Sequence, residues 1–360
     1  MKTLIAAGLL ALAAHISSAH AAEATPLQTR VDRMFAPWTK GNVPGCATGV
    51  TKNGRWMARR GYGSADVERG VRITPDTVFY AASVSKQFTA AAVLRLVDQG
   101  KATLDDDIRQ HMPELPEYLP PIDIRNLMHH TSGIPDYIGL LIRSGTLHDA
   151  HAPDEIVRLL KNQPTVLPAG LMSSYSNSNY FLLGEIVRRA SGQSLRKFAN
   201  DNLFAPLGMT STRFYDDAAE LVPRYAIGYT EEGRSRDQYR PVKTSYAQVG
   251  AGGLLTTIND LGKWVRIFDN PDVFADSPRL GQRLLERGAL SDGSVIAYGF
   301  GLVNERTHGV DVASHMGHFP GFTASFDWIP SRSMGLFVLC NSSQTPIESI
   351  RVNLRDEALR

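Results

Sequence analysis

The chain has 360 residues, of which 43% are apolar, 21% charged and 8% aromatic, a composition that excludes a disordered, collagenous or coiled-coil protein and allows a sizeable core. Thirty-eight Lys and Arg against 36 Asp and Glu leave a net +2, with no basic run of five, so nothing in the sequence marks a nucleic-acid or strongly anionic membrane partner. At roughly 150 residues per domain, two lobes or one large unit fit the length.

Residues 1–21 read as an export signal peptide: Lys2 precedes an apolar stretch from Leu4 to Ala14, and Ala19-His20-Ala21 has the A-x-A form of a cleavage site. The apolar part falls short of the ~20 residues a spanning helix needs, and no later run reaches that length. The expectation is a periplasmic or secreted protein without a stable membrane anchor. Cys46 and Cys340 would then meet an oxidising compartment, but two cysteines do not make a disulfide framework, and buried free thiols remain the alternative to a bridge.

In chain order, Cys46 to Lys52 and Arg55 to Tyr62 flank Asn53-Gly54, the strongest two-residue hairpin signal, so the fold is expected to begin with a β-hairpin. From Ser83 to Val97 the pattern becomes helical and apolar nearly all round, closed by Gly100, which marks a buried helix. Residues 101 to 240 read as short helices, among them Asp154 to Lys161, Tyr180 to Ala190 and Ser194 to Phe204. A helix from Ile258 to Phe268, with Thr257 and Asp260 in capping-box spacing, follows Gly252-Gly253. Strand patterns return at Tyr298 to Asn304, Val310 to Gly317, Phe322 to Ile329 and Met334 to Cys340, before an amphipathic helix that Pro346 opens. This order predicts an α+β fold, with an antiparallel sheet built from both chain ends, flanking helices and an inserted mainly helical lobe. The expected domain is 22–360, its sheet lobe about 30–82 and 245–360 and its helical lobe about 83–244.

G-x-S-x-G, H-E-x-x-H, P-loop and G-x-G-x-x-G signatures are absent. His148 and His151, beside Asp149, read as a solvated loop pair rather than metal ligands, and His129-His130 as structural residues at a turn. The informative stretch is Ser83-Val84-Ser85-Lys86, an S-x-x-K at the start of the buried helix. Residues i and i+3 share a helix face, so the Lys86 amine reaches the Ser83 hydroxyl. The positive end of the helix and desolvation both disfavour a protonated amine, and a Lys driven toward neutrality can accept the serine proton. Ser194-Leu195-Arg196-Lys197 matches the same pattern, but Arg196 and Lys197 are expected in solvent, which leaves Ser194 as an N-cap.

Two further elements accompany it. Tyr175-Ser176-Asn177 presents a phenol and an amide two residues apart. Near amines a phenolate is stabilised, so Tyr175 is a candidate general base and Asn177 a ligand for Lys86 or a substrate carbonyl. His315-Met316-Gly317, followed by His318, ends one strand pattern. Gly317 allows close backbone approach, and the N–H groups of Ser83 and His318 are candidates for an oxyanion hole. Taken singly, a half-buried Tyr, a turn Asn and a surface His account for these residues as well.

Together, S-x-x-K, Y-x-N and H-x-G in this order resemble the serine β-lactamase and penicillin-binding protein superfamily, most closely the branch of class C β-lactamases, D-alanyl-D-alanine carboxypeptidases and related esterases. The resemblance extends through Phe79-Tyr80-Ala81-Ala82-Ser83, His130-Thr131-Ser132-Gly133-Ile134-Pro135, Pro206-Leu207-Gly208-Met209, Ala251-Gly252-Gly253-Leu254 and Pro320-Gly321-Phe322. It implies catalytic Ser83, Lys86 and Tyr175, substrate-binding Asn177, His315, Gly317 and His318, no metal or organic cofactor, and a small-molecule or peptide substrate. It also places the first strand antiparallel to the last, which would bring Cys46 near Cys340, and leaves the oligomeric state open.

Many members of the superfamily carry Lys-Thr-Gly or His-Thr-Gly in the third motif. Here Met316 removes the hydroxyl, and His315 is expected to be only partly charged at pH 7, which predicts weak recognition of a substrate carboxylate. Lys243-Thr244-Ser245 lacks the Gly and is rejected as a substitute. The leading expectation is therefore an exported serine hydrolase of the esterase or D-amino-acid peptidase type. A class C-like β-lactamase and a non-catalytic binder of β-lactams or cell-wall fragments are the alternatives.

Overall fold

Asn53 and Gly54 both take positive φ, 49° and 71°, the backbone a tight right-twisted hairpin requires. They join β1 (Cys46–Lys52) to β2 (Arg55–Tyr62). The remaining strands of the main sheet are β3 (Val303–Thr307), β4 (Val310–Phe319), β5 (Phe322–Ile329) and β6 (Met334–Cys340). Their order is β3-β4-β5-β6-β1-β2, antiparallel throughout, with Cys46 opposite Cys340 in the β1–β6 pair. These two cysteines form a disulfide. The computed structural model describes residues 25–147, 149, 151–231, 239–242 and 248–360. The leader segment 1–21, His148 and Lys243-Thr244-Ser245 lie outside the described residues.

Successive side chains of β6 point to opposite faces. Leu336, Val338 and Cys340 join one apolar cluster under the terminal helices, while Phe337 and Leu339 join the main core. A sheet covered on both faces needs strands apolar on both sides, and every residue of β5 and β6 is buried. The C-terminal helix Ile347–Leu359 is fixed to the sheet by charge: Arg355 donates to Asp327 Oδ2 at 2.8 and 3.0 Å and to Glu305 Oε1 at 2.9 Å.

Four expectations are corrected. The first element among the described residues is not the hairpin but a helix, Pro26–Met34, which Thr25 caps by accepting from Gln28 N. The helix expected from Ile258 to Phe268 breaks at Val265 into Ile258–Trp264 and Arg266–Asp269. The stretch Ser194 to Phe204 is a short α-helix, Leu195–Ala199, that widens into a π turn over Asn200–Phe204. The strand expected from Tyr298 begins only at Val303. Between them Gly301, with φ 82°, brings its backbone so close to the buried helix that an added Cβ would lie 2.5 Å from Gln87 N.

The buried helix itself spans Lys86–Asp98 and follows a 3-10 turn at Ala82–Ser85. Its polar side chains are satisfied, as burial demands: Thr89 donates to Gly250 O at 2.8 Å and Gln87 accepts from Trp264 Nε1 at 2.7 Å. Asn177–Ser191, Leu195–Ala199 and the π turn Asn200–Phe204 pack against it, Asn177–Ser191 foremost.

Candidate active site

The strand Phe79–Tyr80 pairs with Leu254–Thr256 and delivers the chain to the head of the buried helix. There Ala82 takes φ 48°, in the left-handed region that costs a non-glycine residue about 1 kcal/mol or more. Ser85 holds that turn from inside. Its hydroxyl donates to Ala82 O at 2.5 Å and accepts from Leu254 N at 3.1 Å. The result presents Ser83 to a cavity of ≈ 220 Å³ that His318 also lines, while Lys86, one turn on, is wholly buried.

The Lys86 amine has three fixed partners: Ser83 Oγ at 3.1 Å, Asn177 Oδ1 at 2.9 Å and Ala251 O at 2.8 Å. Asn177 faces it with oxygen, because its Nδ2 donates to Asp136 Oδ2 at 2.8 Å. Asp136 is fixed in turn by capping the helix Tyr137–Ser144, accepting from Ile138 N at 2.8 Å. Burial pushes the Lys86 amine down to about 7, against the opposing charge of Asp136.

The Tyr175 ring lies against the amine, 4.7 Å from centroid to Nζ, and its hydroxyl shares a hydrogen bond with Ser83. Although 46% of the residue is exposed, the hydroxyl is enclosed. Burial pushes the phenol up, opposed by the bond to Ser83, and the Asp136 charge pushes it further. The phenolate anticipated from the sequence is therefore disfavoured.

His130 forms the wall behind Tyr175, their rings 4.5 Å apart, with Tyr298 at the same distance on another side. Its Nδ1 accepts from Ser176 N at 3.3 Å and Asn179 Nδ2 at 3.0 Å, so the hydrogen resides on Nε2, which has no hydrogen-bond partner. Desolvation, then the neighbouring charges of Lys86 and His315, hold this imidazole neutral far below its usual range. What read as a structural turn thus sits within the site. His129, its neighbour, is also held neutral by burial, pushed down to about 4.

On β4, His315 is buried, and its Nδ1 donates to Met316 O at 2.6 Å while its Nε2 accepts from Tyr298 at 3.2 Å. Burial pushes it down to about 3, helped by the Lys86 charge, so it is neutral at pH 7 rather than partly charged. Met316 packs on the opposite face, against the cluster under the terminal helices. At Gly317 an added Cβ would stand 2.5 Å from Ala81 O and 3.1 Å from Ser83 N. Only glycine lets the strand pass the serine turn this closely.

The second S-x-x-K behaves as a surface feature: Ser194 caps its helix by accepting from Lys197 N at 3.2 Å, and Lys197 pairs with Asp201. Arg196, expected in solvent, instead pairs with Asp216 and Glu220. His151 bonds Thr146 O at 2.7 Å. Asp136, Tyr298 and the Ala251 carbonyl escaped sequence reasoning. Asp136 alone left a usable signal, a cap residue directly before the apolar run Tyr137-Ile138-Gly139-Leu140-Leu141.

A family model described as Beta-lactamase matches residues 28–359. The chain belongs to the Beta-lactamase family. Among curated β-lactamase-family relatives, the D-aminopeptidase of Gluconobacter oxydans (strain 621H) is 31% identical over 300 residues, 83% of this chain and 56% of the relative. Protein flp of Staphylococcus aureus (strain N315) is 28% identical over 321 residues, 87% of this chain and 63% of the relative. The chain thus spans between about half and two thirds of these relatives. Among solved structures, the octameric penicillin-binding protein homologue from Pyrococcus abyssi matches with TM-score 0.78 and 26% identity, over 92% of this chain and 76% of that one. The D-amino acid amidase from Ochrobactrum anthropi SV3 complexed with D-phenylalanine shares the fold, with TM-score 0.76 and 23% identity over 92% and 97% of the two chains. The mixed α+β architecture, with its six-stranded antiparallel sheet, is the β-lactamase and penicillin-binding protein fold, that of a serine hydrolase.

Proposed function

We propose that the protein hydrolyses esters or amides that lack a terminal carboxylate, D-amino-acid amides among them, through an acyl-enzyme on Ser83. One observation carries this reading: two acceptors, Asn177 Oδ1 and Ala251 O, are fixed on Lys86 Nζ beside Ser83 Oγ. A neutral amine has two N–H groups and one lone pair. With both N–H groups taken, the lone pair is left for the serine hydroxyl. An amine pushed down to about 7 is roughly half neutral at pH 7.

In the proposed sequence, Lys86 takes the Ser83 proton as Oγ bonds to the substrate carbonyl carbon, and the oxyanion meets the Ser83 and His318 N–H groups. Tyr175, a neutral phenol, gives its proton to the leaving nitrogen or oxygen as that bond to the acyl carbon breaks, and recovers one from Lys86. Water then attacks the acyl carbon, losing its proton to Lys86, and Ser83 leaves with a proton returned to Oγ.

The substrate class follows from charge. None of the described residues lining the cavity is Lys, Arg, Asp or Glu, His315 is neutral, and residue 316 faces away, which favours substrates without a carboxylate over penicillins. Similarity to a D-aminopeptidase supports the amide side of the reading. The leader segment and the Cys46–Cys340 disulfide support a periplasmic or secreted location, since disulfides persist in oxidising compartments. No helix among the described residues is long and apolar enough to cross a membrane.

Intact mass followed over time with an activated ester, D-phenylalanine amide and benzylpenicillin, beside Ser83→Ala, tests the reading. Ser83-dependent turnover of the first two, with slow or absent penicillin ring opening, is expected. Fast ring opening, near 10⁶ M⁻¹s⁻¹, would make the protein a β-lactamase, and binding of all three without turnover would make it a binder.

A further inference from the structure

Arginines in this chain are mostly matched with carboxylates, as in Arg95 with Asp276 and Arg189 with Glu114. Others, such as Arg33, Arg55 and Arg143, have no carboxylate partner among the described residues, and one groove gathers three arginines of that kind. It encloses ≈ 430 Å³ and is lined by Arg59, Arg224, Lys263 and Arg266, four cations drawn from three distant parts of the sequence. It opens beside Gly54, the β1–β2 turn. The pairing of Lys52 with Arg55 and Met334 puts that turn at one end of the sheet, and the pairing of Cys340 with Cys46 and Thr323 puts the serine site's end at the other.

None of the three guanidinium groups has a carboxylate partner among the described residues. Arg59 donates to Asn259 Oδ1 at 2.8 Å, Arg224 to Ser211 Oγ at 3.1 Å, and Arg266 has no hydrogen-bond or ion-pair partner among the described residues. The two acids of the groove are engaged by other groove residues, Asp260 with Lys263 among them, and neither pairs with an arginine. Asp76 accepts from Asn259 Nδ2 at 2.5 Å. Buried Asp260 accepts from Ser211 N, from the Thr212 hydroxyl and from Lys263 at 2.8–2.9 Å. The groove keeps a surplus of two positive charges, equal to the net charge of the whole chain.

Its geometry selects the ligand. Trp56 is packed edge-on against Gly49 and Gly262, where an added Cβ would meet its ring at 2.6 and 2.3 Å, and Arg59 covers its face at 5.0 Å. It is a wall rather than a platform for a stacked base. Arg224 holds φ 60°, a conformation uncommon outside glycine, kept by its carbonyl accepting from Val78 N at 2.9 Å. The Arg59, Arg224 and Arg266 guanidinium groups line one recess and have no carboxylate partner among the described residues, and such forks fit tetrahedral oxyanions two oxygens at a time.

We propose that this groove binds phosphate groups, carried on an anionic polymer or on a short oligophosphate, independently of hydrolysis at Ser83. The test is calorimetric titration of the full chain with inorganic tripolyphosphate and with long-chain polyphosphate, at low salt and at 200 mM NaCl. The comparison is with Arg224→Gly/Arg266→Ala, in which glycine accepts the left-handed backbone, and with Arg158→Ala, exposed on the helix Pro153–Lys161 outside the groove. Saturable binding is expected at one site, weakened about tenfold or more by the double variant and not by Arg158→Ala, with a salt dependence that the double variant reduces by about two contacts. Equal affinity per site for both probes identifies a short oligophosphate as sufficient, and preference for the long chain identifies a polymer. Absence of saturable binding, or equal loss in Arg158→Ala, overturns the proposal. Ester hydrolysis should be unchanged in all three proteins, and its failure in the wild type would count against the serine reading alone.

Discussion

At the scale of single residues, the site is a device for keeping one amine short of its usual proton. Desolvation drives Lys86 down and Asp136 drives it up, and under the proposed mechanism the balance at about 7 sets the acid side of the rate profile. We expect kcat/KM to rise with pH through 7 and to level above it, because neutral Lys86 is the competent form. In Asp136→Asn the opposing charge is gone, so the acid limb should move to lower pH. Its rate should still fall about tenfold or more, because the one amide oxygen left cannot both cap Ile138 N and hold Asn177 Nδ2, which turns the Asn177 oxygen to Lys86. A limb that stays at 7 in this variant would remove Asp136 from the electrostatics of the site.

Under the proposed mechanism His130 is a positioning residue that acts through Tyr175. Its Nδ1 takes two N–H groups from the 176–179 segment, and its ring backs the phenol. His130→Asn retains a short acceptor and His130→Phe only the ring. If the imidazole positions the loop through hydrogen bonds, the Asn variant should keep more kcat than the Phe variant, with KM little changed in both. The reverse order, measured by steady-state kinetics on an activated ester at equal melting temperature, would assign the effect to ring packing.

At the scale of elements, legibility followed the local signals. The hairpin was readable because Asn53-Gly54 can do little else between two strand patterns, and β5 and β6 because their runs are apolar on both faces. The helix Pro26–Met34 was not, although Thr25 and Pro26 are good start signals, since its buried Leu27 and Val31 gain their meaning only from the opposing C-terminal helix. Ser83, Lys86, Tyr175 and Asn177 could be singled out by type and spacing and do converge. The charge state of Tyr175 and His315 could not be read, because it depends on burial, and Ala251 enters only through a carbonyl that any residue carries. The C-terminal helix offers a test at this scale. Arg355→Leu leaves Asp327 buried beside Arg351 alone, and removing one partner of a buried pair costs about 3–5 kcal/mol. Urea denaturation should show a loss of that size, and a loss under about 1 kcal/mol would mean that Arg351 and solvent replace the missing guanidinium.

At the scale of the molecule, the two ends of the chain meet in one sheet, and the serine turn hangs from their junction. β4, whose Gly317 presses on Ser83, pairs with β5, β5 with β6, and β6 with β1. The disulfide ties the last pair across 294 residues of sequence, so its chain-entropy effect is that of a very long loop, typically about 3 kcal/mol in practice. The ladder from Cys46 to Lys52 would survive its loss, since seven residue pairs and the cluster around Val50 and Val338 remain. Reduction, or Cys46→Ala with Cys340→Ala, should therefore lower the melting temperature by about 5 °C while ester turnover at 25 °C stays near wild type. The pair of measurements separates two roles for the bridge. A melting shift without loss of turnover makes it a clamp on the unfolded chain, whereas loss of turnover before melting would mean that the β1–β6 seam transmits its alignment to the serine turn.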